Sequence, residues 1–364
     1  MAQQHFLPDD QIEKILTEAR FKFALKCLKT VMCLKKNVVF SPYSIYDGLL
    51  LIYLASHDDI ALQLRPKLEL PDYIHQQNIS LGWILDSKTK KRREYENIKV
   101  PNYYDENSYW MTYTDSKSNM TQYLFKKNLR IVNSDQTFIH TIMKRINQLL
   151  KRTTQGCIRN SVKLNNITEK MDIIQATVLC LKGNTIQQNI FTDESEIPRT
   201  VLSPKLSTLV TEIPLPEIKQ SLIVLFPVQS TQHIKIWKIN KNVTELIDRL
   251  TTESGMDEFR KVLNNEQSSQ KRLLTGEVFY PNFFELENEF SIDQLLDELD
   301  IRILLEPDKA SLPTFSDQNL HLGGAKHRAS IKVTRENVTA CSVNMFFTKG
   351  EMSFNQTADI NHSF

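Results

Sequence analysis

An α+β fold is predicted for this chain of 364 residues, on three observations. Apolar residues recur at helical spacing in two long segments, continuous apolar runs mark buried strands elsewhere, and the two kinds of segment interleave without the strand–helix–strand rhythm of a parallel sheet. With 41% hydrophobic and 24% charged residues the composition is globular, and neither an internal repeat nor a low-complexity linker divides the chain, so residues 1–364 read as one domain.

The first helix is predicted over residues 11–36, because Ile12, Ile15, Leu16, Ala19, Phe23 and Cys27 recur at three- and four-residue steps. Asn37–Pro42 reads as extended. Ser41 then caps a second helix over Tyr43–Ala55, with Pro42 at its tolerant first turn. A third helix is predicted over residues 140–156, with Ile142, Ile146, Leu149 and Leu150 as its apolar stripe and Gly156 as its stop. Ile173–Leu181 is a buried strand by its continuous apolar run, and Ser221–Phe226 is another, ended by Pro227. In the last third, Val278–Phe284 reads as a strand, and Leu295, Leu296 and Leu299 share a helical face. Leu320–Val333 reads as extended, with Ala329, Ile331 and Val333 alternating with Arg328, Ser330 and Lys332. Thr334–His362 is polar and poorly periodic and is predicted as a long loop, a feature that is usually functional in a compact domain.

Composition narrows the function. The net charge of +2 gives no global field toward nucleic acid or an acidic membrane, so polyanion binding would need a local patch. The one concentrated basic run holds Lys88, Lys90, Lys91, Arg92 and Arg93, just after Trp83. It reads either as a weak polyanion site or, more commonly for such runs, as a solvated face offset by Glu94 and Glu96. No specific nucleic-acid binding is expected, and no apolar run reaches the roughly 18 residues that span a bilayer. Only 9 glycines occur, where average usage would give about 25. This argues against an enzyme built on glycine-rich phosphate loops. The hydrolase elbow, the paired-histidine zinc helix and the phosphate loop are all missing from the sequence. Asp9/Asp10 and Asp58/Asp59 read as solvated caps or turns. The five cysteines, Cys27, Cys33, Cys157, Cys180 and Cys341, lack C-x-x-C spacing and read mostly as buried thiols, with neither a disulfide framework nor a zinc cluster. His327, among apolar strand residues, reads as a hydrogen-bonded structural residue. No metal, cofactor or catalytic constellation is expected, so the chain is not read as an enzyme. Met1–Gln11 carries no visible secretory signal. The sequons at Asn78, Asn119, Asn166, Asn242, Asn337, Asn355 and Asn361 favour secretion only weakly.

Taken in order, several segments resemble one family, the serpins. Asn37-Val-Val-Phe-Ser-Pro-Tyr-Ser-Ile45 resembles the serpin N-x-x-x-S-P-x-S-I opening, and Leu54–Leu64 is similar to the stretch after it, without its usual Gly and Thr. Ile146, Asn147, Thr154, Gly156 and Ile158 fit the family's I-N-x-W-V-x-x-x-T-x-G-x-I spacing, with Leu149 for the tryptophan. Leu181-Lys182-Gly183 resembles F-K-G, and Glu212–Pro227 resembles a strand pair ending in Leu-Pro. Val278, Pro281 and Phe283 match V-x-x-P-K-F with Asn282 for Lys, and Leu320, Leu322, His327, Ala329, Ile331 and Val333 match L-x-V-x-x-x-x-H-K-A-x-I-x-V without a gap. The resemblance runs from about residue 20 to the end.

The resemblance implies a large central β-sheet, smaller sheets, supporting helices and an exposed reactive-centre loop at about 335–358. In inhibitory members a serine protease cuts that loop, which then inserts as a new strand and distorts the acyl-enzyme. Carried over by position, the hinge is Asn337, Val338, Thr339, Ala340, Cys341 and Ser342, the scissile bond lies at Glu351–Met352 with Lys349 the alternative bait, and Ser41, Ser44 and His327 belong to a polar cluster under the sheet's opening. Insertion would turn Val338, Ala340, Ser342, Asn344 and Phe346 inward. There Asn344 without a partner would cost ~1–3 kcal/mol, and Phe346 would cost a similar ~1–3 kcal/mol if no space awaits it.

Several departures weigh toward the alternative, a non-inhibitory serpin acting as a binding, carrier or substrate-like protein. Asn337 replaces a hinge glycine and opens a sequon, Thr177 replaces the cluster's Asn, Thr185 replaces a Trp, and Asn282 and Arg335 replace a Lys–Glu pair. The ending Asn361-His-Ser-Phe364 resembles D-H-P-F, which normally precedes two more core strands. A monomer is implied, with a serine protease as partner and the extracellular space as the favoured location, the cytoplasm being the alternative.

Overall fold

The structure is a computed structural model that describes residues 7–34, 37–56, 58–76, 78–80, 103–112, 129–132, 171–184, 199–215, 220–230, 237–239, 242–264, 283–306, 320–334 and 336–350, with 144, 147–148, 151, 157–158 and 312 between them. Helix α1 spans Asp9–Leu34 and opens on Asp9 and Asp10, where carboxylates meet the positive end of the helix dipole. Its stripe of Ile12, Leu16, Ala19, Phe23 and Cys27 is fully buried. Helix α2 spans Pro42–Ala55, and the Ser41 side chain accepts the Ser44 N–H at its N-terminus. From Ser44 to Ala55 every residue is buried, so α2 is a core helix rather than an amphipathic one. Its one charge, Asp47, accepts a hydrogen bond from Arg20 of α1 at 3.0 Å. Helix α3 spans Asp58–Lys67.

The larger sheet is built from β1 (Tyr103–Thr112), β2 (Leu129–Val132), β3 (Met171–Asn184), β8 (Phe284–Ser291), β9 (Leu320–Val333) and β10 (Asn337–Gly350), in the order β2-β1-β3-β10-β9-β8. Among the described strands of this sheet only β1 and β2 pair parallel. The smaller sheet has the order β4-β5-β6-β7, from β4 (Arg199–Ser203), β5 (Thr208–Leu215), β6 (Gln220–Ser230) and β7 (Trp237–Ile239). Helices α4 (Val243–Leu250) and α5 (Glu253–Leu263) cover it together with Leu25 of α1. Helix α6 (Asp293–Glu298) and a 3-10 turn at Arg302–Leu305 join the main core beneath the larger sheet, where α1, α2 and α3 meet Leu322, Ala325 and Phe346.

Two sequence expectations change, and two more fall largely outside the described residues. Pro227 does not end its strand, because β6 runs on to Ser230. The Val228 N–H donates toward β5, to Ser207, so position 227 faces the other edge. There the pairing with β7 runs from Ser230 to Val228, so among the described residues the missing proline N–H interrupts no pair. Of the strand expected at Val278–Phe284, residues 278–282 lie outside the described residues, and the strand described there runs Phe284–Ser291. Of the helix at 140–156 only Lys144, Asn147, Gln148 and Lys151 are described, all helical, and its apolar stripe lies outside. The largest change concerns the long exposed loop. Its first part, Asn337–Gly350, is a strand bonded on both sides within the larger sheet.

Candidate functional site

The channel between β3 and β9, and the segment that fills it, form the site. Pairing runs from Asn337 opposite Asn184 to Lys349 opposite Met171 on one side, and from Val338 opposite Val333 to Gly350 opposite Leu320 on the other. The turn that feeds β10 is built by Thr334. Its Oγ1 accepts the N–H groups of Glu336 and Asn337, and its own N–H donates to the Asn337 carbonyl. Asn337 is not among the described non-glycine residues with positive φ, which are Glu69, Ser207 and Asp300, so the turn does not need the glycine freedom lost there.

The inserted strand is buried on both faces. Val338, Ser342, Asn344 and Phe346 turn one way and Cys341, Val343, Met345 and Phe347 the other, and all are buried. Both aromatic side chains rest on glycine. A Cβ on Gly48 of α2 would lie 2.2 Å from Phe346 Cε2, and a Cβ on Gly324 of β9, the cross-strand partner of Phe347, would lie 2.6 Å from Phe347 Cζ. The space that the sequence left in doubt for Phe346 is made by Gly48, and Gly324, at φ +147°, also holds a backbone shape that side chains rarely adopt.

Beside this contact lies the polar cluster. His327 is directly across from Asn344 and carries no exposed surface. Its Nε2 accepts the Ser41 N–H at 3.0 Å, so in the neutral ring the proton sits on Nδ1. Burial pushes its pKa down to about 3, and a hydrogen bond with the Asn344 side chain works against that shift. Asn344 Nδ2 also donates to the Ser44 carbonyl at 3.4 Å, and Ser44 Oγ donates to the Ser41 carbonyl at 3.1 Å. The structure thus joins Ser41, Ser44 and His327, and adds Asn344 to them. Asn344 has partners after all, which lessens the penalty expected for burying it alone. Thr177 is the other cross-strand neighbour of Asn344.

An ion cluster in the interior of β8 and β9 stands beside the site. Arg328 donates to Glu287 at 2.8 Å and to Glu289 at 3.1 Å, both on β8, and this pairing lets an arginine sit buried. The reading of the cysteines as unlinked thiols is corrected for two of them: Cys180 and Cys341 form a disulfide between β3 and β10. Their 161-residue separation gave no sequence signal, because only insertion of β10 makes them neighbours. Cys27 is a buried free thiol, and Cys157 is half-buried and free. Among the described residues no group of three or more His, Cys, Asp or Glu could hold a metal ion.

The remaining expected residues are placed as follows. Asn337 to Ser342, the expected hinge, form the first turns of pairing in β10. Lys349 lies in β10 opposite Met171 and His321. Glu351, Met352, Arg335 and the basic run Lys88, Lys90, Lys91, Arg92 and Arg93 lie outside the described residues. Gly48, Gly324, Asn344 and the cysteine pair were missed as contributors. The signal available was the scarcity of glycine, which makes each one inside an apolar helix or strand a question of close approach.

The family model described as Serpin (serine protease inhibitor) matches residues 18–188 and 182–364. The chain is 23% identical over 348 residues to Serine protease inhibitor 88Ea of Drosophila melanogaster, covering 86% of this chain and 76% of the relative. It is 21% identical over 357 residues to Leukocyte elastase inhibitor A of Mus musculus, covering 90% and 88%. Among solved structures, ovalbumin from emu superposes with a TM-score of 0.71 at 16% identity, covering 96% of this chain and 94% of that one. A cleaved Serpin 42Da superposes at 0.70 and 15% identity, covering 93% and 89%. The family model spans both the channel and the strand that fills it, and with the shared α+β architecture it makes this chain a divergent member of the serpin family.

Proposed function

We propose that this serpin inhibits a serine protease by cleavage and insertion of its loop at about 335–358. The observation that carries this reading is the fit of β10: Gly48 and Gly324 leave room for its two phenylalanines, and the Ser41–Ser44–His327 cluster offers partners to Asn344. A sheet so shaped receives the segment as a strand rather than merely tolerating it. In the proposed mechanism the protease's catalytic serine attacks the carbonyl carbon of Glu351, or of Lys349 if the alternative bait is used. The peptide bond breaks, and the residue's carbonyl remains esterified to the protease. Asn337, Val338, Thr339, Ala340, Cys341 and Ser342 then enter the sheet first, and the strand pairs onward to Gly350. At ~3.3 Å per residue the 14 residues of β10 span about 45 Å, so a protease tethered just beyond them is carried from one end of the sheet to the other. The Drosophila and mouse relatives, both named as inhibitors, support the same reading.

A second reading rests on the state of the strand. β10 already lies paired within the sheet of an uncut chain, which suits a non-inhibitory serpin. Incubation with a trypsin-like and an acid-preferring protease separates the two. The first reading expects an SDS-stable complex of chain and protease. Cleavage without any complex sinks it. For the basic run, the kallistatin neighbour is described in complex with heparin, which makes polyanion binding at Lys88–Arg93 a subsidiary proposal.

A further inference from the structure

Of the sequons in the chain, those at Asn78, Asn242 and Asn337 lie among the described residues, and the fold treats them differently. Asn78 is 4% exposed, and the Ser80 hydroxyl of its sequon donates to the Gln76 carbonyl at 3.0 Å, so this fold leaves no room for a sugar on it. Asn337 is half-buried at the start of β10, opposite Asn184, and its N–H and carbonyl are both bonded to Thr334. At Asn242 the whole sequon is on the surface: Asn242, Val243 and Thr244 are all exposed, and so is Glu245 after them. These residues form the entry to α4. Asn242 Oδ1 accepts the Glu245 N–H at 3.4 Å, and Asn242 Nδ2 donates to Glu245 Oε1 at 2.7 Å. The side-chain amide is thus presented on the outside by its own helix turn, while Leu246, Ile247 and Leu250 bury the opposite side of α4. A second observation concerns the compartment. Cys180 and Cys341 are disulfide-bonded, and such bonds form and persist in oxidising surroundings, the secretory lumen among them.

We propose that Asn242 is an N-glycan acceptor, and that among the described sequons Asn78 is not. The co-substrate is a lipid-linked oligosaccharide, which belongs to the lumen where sequons are read and disulfides close. In the transfer a bond forms between Asn242 Nδ2 and the anomeric carbon of the first sugar. The bond from that carbon to the lipid diphosphate breaks, the diphosphate leaves with its electron pair, and one amide proton is lost. No oxidant or reductant takes part. Oδ1 is untouched, so the cap on the Glu245 N–H survives the modification. The sugar stands on the solvent side of α4, whose other side packs with Val201 and Val210 of the smaller sheet, so the core under the helix need not move. The proposal goes beyond the inhibitory reading and does not rest on it, since neither β10 nor the bait segment enters the argument.

The test uses the full chain, carried into the secretory pathway of insect cells by a cleavable leader and collected from the medium. Mass spectrometry of its digest is expected to find a glycan on the peptide that holds Asn242 and none on the peptide that holds Asn78. Enzymatic release of the glycan in heavy-oxygen water should mark position 242 by its conversion to aspartate. Thr244→Ala removes the sequon but keeps the Asn242 side chain and its cap. On a denaturing gel it should run one glycan step faster than the parent, and Thr244→Ser should run with the parent. Asn242→Gln should lose the same step. Should it fail to fold for want of its cap, Thr244→Ala alone decides. If the chain stays in the cells, the same digest is made from their membrane-enclosed fraction. An unmodified Asn242 peptide, or Thr244→Ala running with the parent, overturns the proposal. A glycan on Asn78 of the folded chain overturns it too, because burial would then not sort the sequons.

Discussion

His327 has no exposed surface, and its Nε2 already receives the Ser41 amide, so a second ring proton would displace that bond and bring a charge into the sheet. In the unfolded chain the same imidazole titrates near ~6.5, and in the fold it is pushed down to about 3. Above the unfolded value both states are neutral and the contribution to stability is complete. Between the two values only the unfolded chain gains a proton, so stability falls as the pH falls. The slope approaches ~1.4 kcal/mol per pH unit in that window. Urea midpoints from pH 7.5 to 4 should therefore drop more steeply for the parent than for His327→Gln, and parallel curves would remove this account. His327 could be read from the sequence as structural, because its strand neighbours are apolar. Its amide partner could not be read there, since Asn344 meets Ser44 across 300 positions and only through a strand that looked like loop.

Elements with a clear apolar stripe or a continuous apolar run were legible, and β10, which mixes polar and apolar residues on two covered faces, was not. The stripe of α1 announced a helix within two residues of its ends, and the span of β9 was read correctly. β10 escaped because its residues meet α2 on one side and are also buried on the other, which erases the alternation a half-buried strand would show. What the sequence holds instead is a fit between elements, with Gly48 of α2 under Phe346 of β10. Alanine inside a helix is normally up to ~1 kcal/mol better than glycine. Here Gly48→Ala should instead destabilise the inserted form, by ~1–3 kcal/mol, through overpacking. In the Phe346→Ala background the same change should become neutral or stabilising, because the ring it strikes is gone. Thermal melts of the four chains of this cycle decide the matter. A Tm that rises with Gly48→Ala while Phe346 is present would show that the ring does not rest on that glycine.

At the scale of the molecule the question is how much stability waits to be released. A serpin that traps its target must be held short of its most stable form by a kinetic barrier, with the sheet unfilled. The conformation described here has already filled it: β10 pairs along nearly its whole length with both neighbours, its aromatic side chains rest on their glycines, and the polar cluster has its amide. Cutting the chain at the proposed Glu351–Met352 bond adds no pair between β10 and its two neighbours, which are already paired along it. Chain with β10 in place should therefore melt within ~2 °C of its own cleaved product, whereas chain with the segment outside the sheet should gain about 5 °C or more on cleavage, since several kcal/mol of burial and pairing are then realised. Calorimetry of the chain, intact and cleaved, measures the difference. A large gain would mean that its sheet was not yet full. No gain would mean that the inserted strand is the resting state. Stored strain would then be absent, and with it the force needed to distort a bound protease.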